Sequence, residues 1–145
     1  MARALGIDYG SVRIGISVSD EGKRIARPIS VVRRGRNDAE TAQKITTLIK
    51  PLEPIDLIVI GLPLLLSGQV GEMAKKAQEF GAFLERALSK KVLFWDERLT
   101  TTQVERLLKD SGLNRKKRAE HLDTMAATLI LQNYLDSQEP FKREI

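Results

Sequence analysis

Apolar residues alternate with small polar ones in one early segment of the chain, which is the pattern of a β-strand with one covered face. The alternating residues are Ile14, Ile16 and Val18 on one side and Gly15, Ser17 and Ser19 on the other. Residues 5–9 form an earlier apolar run that contains one carboxylate, Asp8, and Gly10 follows this run directly. The two runs and the short turn between them predict a β-hairpin.

The next apolar segment, residues 25–32, predicts a third strand. Pro28 interrupts it, and because proline cannot donate a hydrogen bond to a neighbouring strand, an edge position in the sheet is expected. A helix capped by Asn37 or Asp38 is predicted to run to about Lys50, since its apolar residues recur at helical spacing.

Strands and helices alternate through the rest of the chain. The continuous apolar run over residues 56–62 predicts a central strand that is buried on both faces. The other predicted elements are a helix opened by Gly68 and Gly71, a strand over residues 91–95, a helix from Thr102 to Gly112, a polar stretch over residues 114–120, and a helix from about residue 122 to 135.

This order of elements predicts one α/β domain with a mixed five-stranded sheet. The first three strands form an antiparallel meander, and strands joined through helices lie parallel by right-handed crossovers. Helices then cover both faces of the sheet. The domain is expected to span residues 1–138, followed by a polar tail over residues 139–145, because the sequence contains no internal repeat and no linker.

The composition narrows the chemistry that this domain can carry. Among 145 residues there is no cysteine and one histidine, His121, which excludes disulfides, thiolate metal sites and multi-histidine zinc sites. A metal would have to be held by carboxylates, which favours a hard ion such as Mg²⁺ or Mn²⁺. The lack of cysteine, of a long apolar run and of an export signal favours a cytoplasmic protein without a membrane partner.

The charge balance of the chain is basic. A formal charge of +5 and an isoelectric point near 9.6 suit a polyanionic partner such as nucleic acid. An excess of this size is also common in proteins that bind no polyanion, where it serves solubility. Charge alone therefore leaves both interpretations open.

Three acidic positions do not fit the hydrophobic pattern. Asp8 lies in an apolar strand, the pair Asp96 and Glu97 ends another strand, and Asp123 points along the apolar side of the last helix. Each position has an ordinary interpretation. The pair can be a solvated strand end, and Asp123 near the predicted helix start is a favoured N-cap, which the local pattern slightly prefers. Together, however, the three can supply oxygen ligands to divalent ions.

Four motifs together resemble the YqgF/RuvX family over nearly the whole chain. They are Gly6-Ile7-Asp8-Tyr9-Gly10 with Arg13-Ile14-Gly15, Val59-Ile60-Gly61-Leu62-Pro63 with Gly68, Asp96-Glu97-Arg98-Leu99-Thr100-Thr101, and Asp123 followed by Ala126-Ala127 and Leu129-Ile130-Leu131. The resemblance implies a ribonuclease H-like fold and a magnesium-dependent nuclease. The family is described both as Holliday junction resolvases and as nucleases that mature the 5′ end of pre-16S ribosomal RNA.

The resemblance also implies a catalytic, metal-binding triad of Asp8, Glu97 and Asp123, and it selects Glu97 over Asp96. In the expected mechanism Asp8 bridges two Mg²⁺ (or Mn²⁺) ions, and the other two acids each hold an outer side. The resemblance favours processing of ribosomal RNA by a monomer or weak homodimer, with resolution of branched DNA as the alternative. The rival classes are a non-catalytic RNA-binding factor and a nucleotide-binding ATPase fold.

The sequence also offers candidate contacts to nucleic acid. They are Arg13, Arg98, Thr101 and the basic run Arg115, Lys116, Lys117 and Arg118. The first two can instead balance the charge of the acids, and Thr101 can cap a helix. The basic run is expected in a flexible loop between two helices, where it either clamps a phosphate backbone or is simply solvated.

Three leucines depart from the family pattern. Leu64, Leu65 and Leu66 stand between Pro63 and Gly68, where the family usually has an asparagine and further polar residues. The departure leaves the substrate preference of this loop open, and a contact with a partner is an alternative role for the leucines.

Overall fold

A computed structural model describes residues 1–63, 70–96 and 115–138 of the protein, and of residues 115–120 it describes the backbone only. The strands are β1 (Arg3–Tyr9), β2 (Arg13–Ser19), β3 (Ala26–Arg33), β4 (Ile55–Leu62) and β5 (Lys91–Asp96). The helices are α1 (Asp38–Ile49), α2 (Glu72–Leu88) and α3 (Arg115–Ser137), with a 3₁₀ turn at Lys50–Leu52. The predicted helix from Thr102 to Gly112 lies outside these ranges. No helix within them is both long and apolar enough to cross a membrane.

The five strands form one mixed sheet in the order β3-β2-β1-β4-β5. β1 and β3 each pair antiparallel with β2, whereas β4 pairs parallel with β1 and with β5. The predicted α/β fold and the mixed sheet are therefore confirmed. Pro28 belongs to β3, which is an edge strand of this sheet, so its predicted edge position is also confirmed. It lies opposite Ser17 of β2, next to a shift in register.

Large aliphatic side chains build the face of the sheet that α1 and α2 cover. Strands β1, β2 and β4 each contribute fully buried residues, and the two helices pack further ones against them. The largest fully buried members of this cluster are Leu5, Ile7, Ile14, Ile16, Ile58 and Ile60 from the strands and Ile45, Ile49, Phe80 and Leu84 from the helices. Since burying one such side chain stabilises by roughly 2 kcal/mol, this face carries a large share of the core.

Small residues line much of the opposite face, which α3 covers. A Cβ atom added at Gly6 would lie 2.7 Å from Leu131 Cβ and 2.8 Å from the carbonyl oxygen of Ala127. The hydroxyl of Ser17 donates a hydrogen bond of 2.8 Å to that same carbonyl oxygen. Because little side-chain volume separates them, the helix packs directly on the backbone of β1 and β2.

The C-terminal half of α3 is fastened to both sides of the sheet. On one side, the amide of Gln132 accepts a hydrogen bond from Ala26 N at 2.8 Å and donates one to Arg24 O at 2.9 Å. On the other side, Trp95 of β5 packs edge-to-face against Tyr134, with ring centroids 5.8 Å apart. The helix is therefore anchored at β3 and at β5, near the two sides of the sheet.

Helix α3 begins earlier than the sequence pattern predicted. It starts at Arg115 rather than near residue 122, so residues 115–118 lie in a helix and the predicted flexible loop is wrong. The physical reason is that arginine, lysine, alanine and glutamate are good helix formers even where they lack an apolar face. Asp123 consequently lies about two turns inside the helix, which excludes its interpretation as an N-cap.

The close packing of α3 predicts that Gly15 cannot be enlarged. A Cβ atom there would collide with the backbone carbonyl of Asp123 and lie 3.2 Å from Thr124 N, and backbone atoms cannot rotate away. We expect Gly15→Ala to lower the free energy of unfolding by roughly 1–3 kcal/mol in urea denaturation.

Gly22→Ala is the matched control, because the nearest atoms to a Cβ at Gly22 are 3.7 and 3.9 Å away. Its free energy of unfolding should stay within about 0.5 kcal/mol of the wild type. Equal stabilities for the two alanine variants would contradict the close contact between β2 and α3.

Candidate active site

Asp8 lies one residue before the end of β1 and is half-buried. Its neighbours on the ladders are Gly15 in β2 and Gly61 in β4. Residues directly opposite each other point to the same face of a sheet, and Gly15 faces α3. Asp8 therefore lies on the α3 face, between two residues that have no side chain to cover its carboxylate.

Asp123 of α3 presents a second carboxylate on this face of the sheet, beside the start of β2. Its side chain is 18% exposed, and its Oδ2 lies 2.9 Å from Arg13 Nε. This contact is an ion pair without good hydrogen-bond alignment, since the buried Oδ2 accepts no hydrogen bond from the described residues. Burial raises the pKa of the Asp123 carboxyl above its ordinary value, and the positive charge of Arg13 opposes this only in part.

Gly15 connects the two acids in space. It is the ladder partner of Asp8, and its position is pressed against the backbone of Asp123. The predicted third acid, Glu97, lies outside the described residues. Within residues 1–63, 70–96 and 115–138, no group of three or more acidic or histidine side chains gathers closely enough to hold a metal ion. The triad therefore stays a prediction, with two members placed on either side of one glycine.

The predicted nucleic-acid contacts have different outcomes. Arg13 lies at the site, where it balances the charge of Asp123. Arg98 and Thr101 lie outside the described residues, as do the three leucines over residues 64–66. The basic run over residues 115–118 lies in the first turn of α3, and its side chains are not described. Its predicted role in binding is therefore not tested by the geometry.

Sequence reasoning did not identify Arg33 as a neighbour of the site. Arg33 of β3 is the ladder partner of Arg13, so the two guanidinium groups start from adjacent positions on the α3 face. With His121 and Thr124 of α3, they line an open pocket of about 590 Å³ between the edge strand and the helix. A count back from the hairpin turn does not give this neighbour, because the register between β2 and β3 shifts between Ile16 and Ser17, and the register at the turn would place Val32 opposite Arg13.

Comparison with known proteins finds relatives of similar length. The family model described as RuvX, Holliday junction resolvase, matches residues 2–137. A relative from Protochlamydia amoebophila (strain UWE25), named as a candidate pre-16S rRNA nuclease, is 43% identical over 142 residues, which cover 94% of this chain and 95% of the relative. A relative of the same name from Caldanaerobacter subterraneus subsp. tengcongensis is 41% identical over 138 residues, covering 94% and 98%.

Solved structures share the fold at low sequence identity. RuvC of T. thermophilus, in complex with a Holliday junction substrate, matches with a TM-score of 0.54 and 15% identity over 95% of this chain and 96% of its own. The yeast mitochondrial Holliday junction resolvase Ydc2 matches with a TM-score of 0.57 and 13% identity over 98% and 81%. These structures confirm the predicted ribonuclease H-like fold. The family model covers nearly all of the sequence, and the chain therefore belongs to the RuvX family.

Proposed function

We propose that the protein is a nuclease that hydrolyses phosphodiester bonds with the help of divalent metal ions. Asp8, Glu97 and Asp123 hold the ions, which are Mg²⁺ or Mn²⁺ and two in number. The observation that carries this proposal is the buried Oδ2 of Asp123, which accepts no hydrogen bond from the described residues although Arg13 Nε lies 2.9 Å away. A buried carboxylate oxygen in this state is receptive to a cation.

The described residues fit a hard divalent cation. Carboxylate oxygens are the ligands that Mg²⁺ prefers, and this ion fills the rest of its shell with water and substrate phosphate rather than with further protein groups. Two acids near one glycine leave room for such ligands. Glu97, the third predicted ligand, follows the last described residue of β5 in the sequence.

In this proposal the acidic side chains hold the reacting groups in position and form no covalent bond with the substrate. The backbone of Asp8 is held by two ladders, and the backbone of Asp123 is held by a helix that packs on the sheet, so the positions from which the two carboxylates extend are fixed before substrate binds. Arg13 keeps Asp123 from carrying an uncompensated buried charge. When bound, divalent ions lower the pKa of a water molecule and neutralise charge on the leaving oxygen.

Precursor 16S ribosomal RNA is the proposed substrate. The two full-length relatives described above carry the name of a nuclease for this RNA. Branched DNA is the second candidate, favoured by the description of the family model and by the junction complex of a protein with the same fold. With the RNA substrate we propose a monomer or weak homodimer. Symmetric cleavage of a DNA junction would instead require a dimer.

The proposal predicts that cleavage depends on both described acids. We expect Asp8→Asn and Asp123→Asn each to slow cleavage by more than about a hundredfold in Mg²⁺, because losing even an outer partner of a metal ligand costs 10–100-fold. EDTA should abolish cleavage by the wild type. The measurement is one gel with a precursor ribosomal RNA end in one lane and a four-way DNA junction in another.

Asp56→Asn is the control for this experiment, since Asp56 lies at the opposite end of β4, where it pairs with Lys23. It should cleave at the wild-type rate. Full activity of either Asp8→Asn or Asp123→Asn would remove that acid from the mechanism, and activity in EDTA would remove the metal.

The raised pKa of Asp123 predicts a pH-dependent stability difference in metal-free buffer. Because its pKa is higher in the folded state, the group stabilises the fold most below its unfolded pKa, and this stabilisation is lost as pH rises through the folded pKa. Asparagine imitates the protonated form. Asp123→Asn should therefore be more stable than the wild type by about 0.5–2 kcal/mol near neutral pH, with the difference closing in acid.

Urea denaturation in EDTA at several pH values measures this difference. The same comparison in an Arg13→Gln background should give a larger difference, because the positive charge that opposes the raised pKa is gone. A variant less stable than the wild type at neutral pH, or a difference that does not change with pH, would show that burial does not control this carboxyl.

A further inference from the structure

An open pocket lies beside the candidate active site, between the edge strand β3 and the first half of α3. It has a volume of about 590 Å³. The residues that line it are Arg13, Pro28, Ile29, Ser30, Val31, Arg33, His121 and Thr124. We call this space the β3–α3 pocket. Arg13 belongs both to the pocket and to the ion pair with Asp123, so the pocket opens directly from the acidic site.

The charges in the pocket are unbalanced. Arg13 and Arg33 are ladder partners, an arrangement that is destabilising for like charges. Asp123 compensates Arg13, but the exposed guanidinium of Arg33 makes no ion pair or hydrogen bond with any described residue. No carboxylate appears among the described lining residues.

The pocket walls suit a sugar-phosphate backbone better than a base or a peptide strand. His121 and Thr124 supply side-chain hydrogen-bonding groups, and no phenylalanine, tyrosine or tryptophan is among the described lining residues for a base to stack on. A peptide that extended the sheet would need regular donors along β3, whereas Pro28 has none and the β2–β3 register shifts beside it.

We propose that the β3–α3 pocket binds the backbone of a single nucleic-acid strand next to the bond that is cut, with Arg33 on a phosphate that does not react. The inference rests on the proposed nuclease function and adds a second binding site to it. A volume of this size holds a segment of about one nucleotide. Binding is independent of base sequence, because the contacts go to phosphate and sugar.

The first test measures binding without cleavage. The full-length protein is titrated in EDTA with a fluorescent single-stranded RNA of about 12 nucleotides, at salt concentrations from about 50 to about 300 mM, and anisotropy gives Kd. Arg33→Gln should weaken binding about tenfold at low salt, the loss expected for one charge-assisted hydrogen bond. The slope of log K against log salt should fall by about 0.7, the value for one phosphate contact on a single strand.

Two further variants control this titration. Arg86→Gln removes the same charge from an exposed position on α2, on the opposite face of the sheet, and should bind like the wild type. Arg33→Lys keeps the charge and should retain most of the salt slope. If Arg33→Gln matches Arg86→Gln in both affinity and slope, the β3–α3 pocket does not hold a phosphate.

The second test separates this inference from the proposed function. Bis(p-nitrophenyl) phosphate is a small diester that can occupy the acidic site without reaching Arg33. In Mg²⁺, Arg33→Gln should hydrolyse it like the wild type, while KM for an RNA substrate rises about tenfold with kcat unchanged. An equal loss on both substrates would mean that Arg33 supports the acidic site, which overturns the pocket proposal. If the wild type cleaves neither substrate, the nuclease proposal fails, and the titration in EDTA still decides the pocket.

Discussion

The contact between the backbone of Asp123 and Gly15 determines the arrangement of the site. It places a helix from the C-terminal part of the chain directly on a strand from the N-terminal part, with no side chain between them. The ladder then connects Gly15 to Asp8, so one glycine fixes the separation of two acids that are far apart in sequence. The neighbouring Gly6 and Ser17 extend the same close packing, and the hydroxyl of Ser17 satisfies a helix carbonyl that would otherwise lie buried against the sheet.

The burial of the Asp123 carboxylate in the site lowers the stability of the folded protein. Asp123 is buried enough for its pKa to rise, and its ion pair with Arg13 does not supply a well-aligned hydrogen bond. Such a carboxylate persists only where the rest of the fold outweighs its cost. The aliphatic cluster on the other face of the sheet, which α1 and α2 cover, is the main source of that surplus. The α3 face adds a smaller apolar cluster of its own, which includes Val59, Ile130 and Leu131, and the two described acids lie on this face.

Much of the fold follows from short-range patterns in the sequence. The alternation from Ile14 to Val18, the apolar run before Pro63 and the proline in β3 predict strands, a buried centre and an edge that the structure contains. The start of α3 was mispredicted because polar helix formers without an apolar stripe resemble a loop, and this error made an N-cap of Asp123 plausible. The site itself depends on contacts between residues more than a hundred positions apart, such as Arg13 with Asp123, which no local pattern encodes.

The anchoring of α3 at Gln132 and Tyr134 has a mechanical consequence. The helix is held there and also at Asp123, whose backbone packs on Gly15. The segment around this second attachment forms one wall of the β3–α3 pocket through His121 and Thr124. A ligand in the pocket therefore meets a wall that is already in place, and the same segment carries the Asp123 carboxylate.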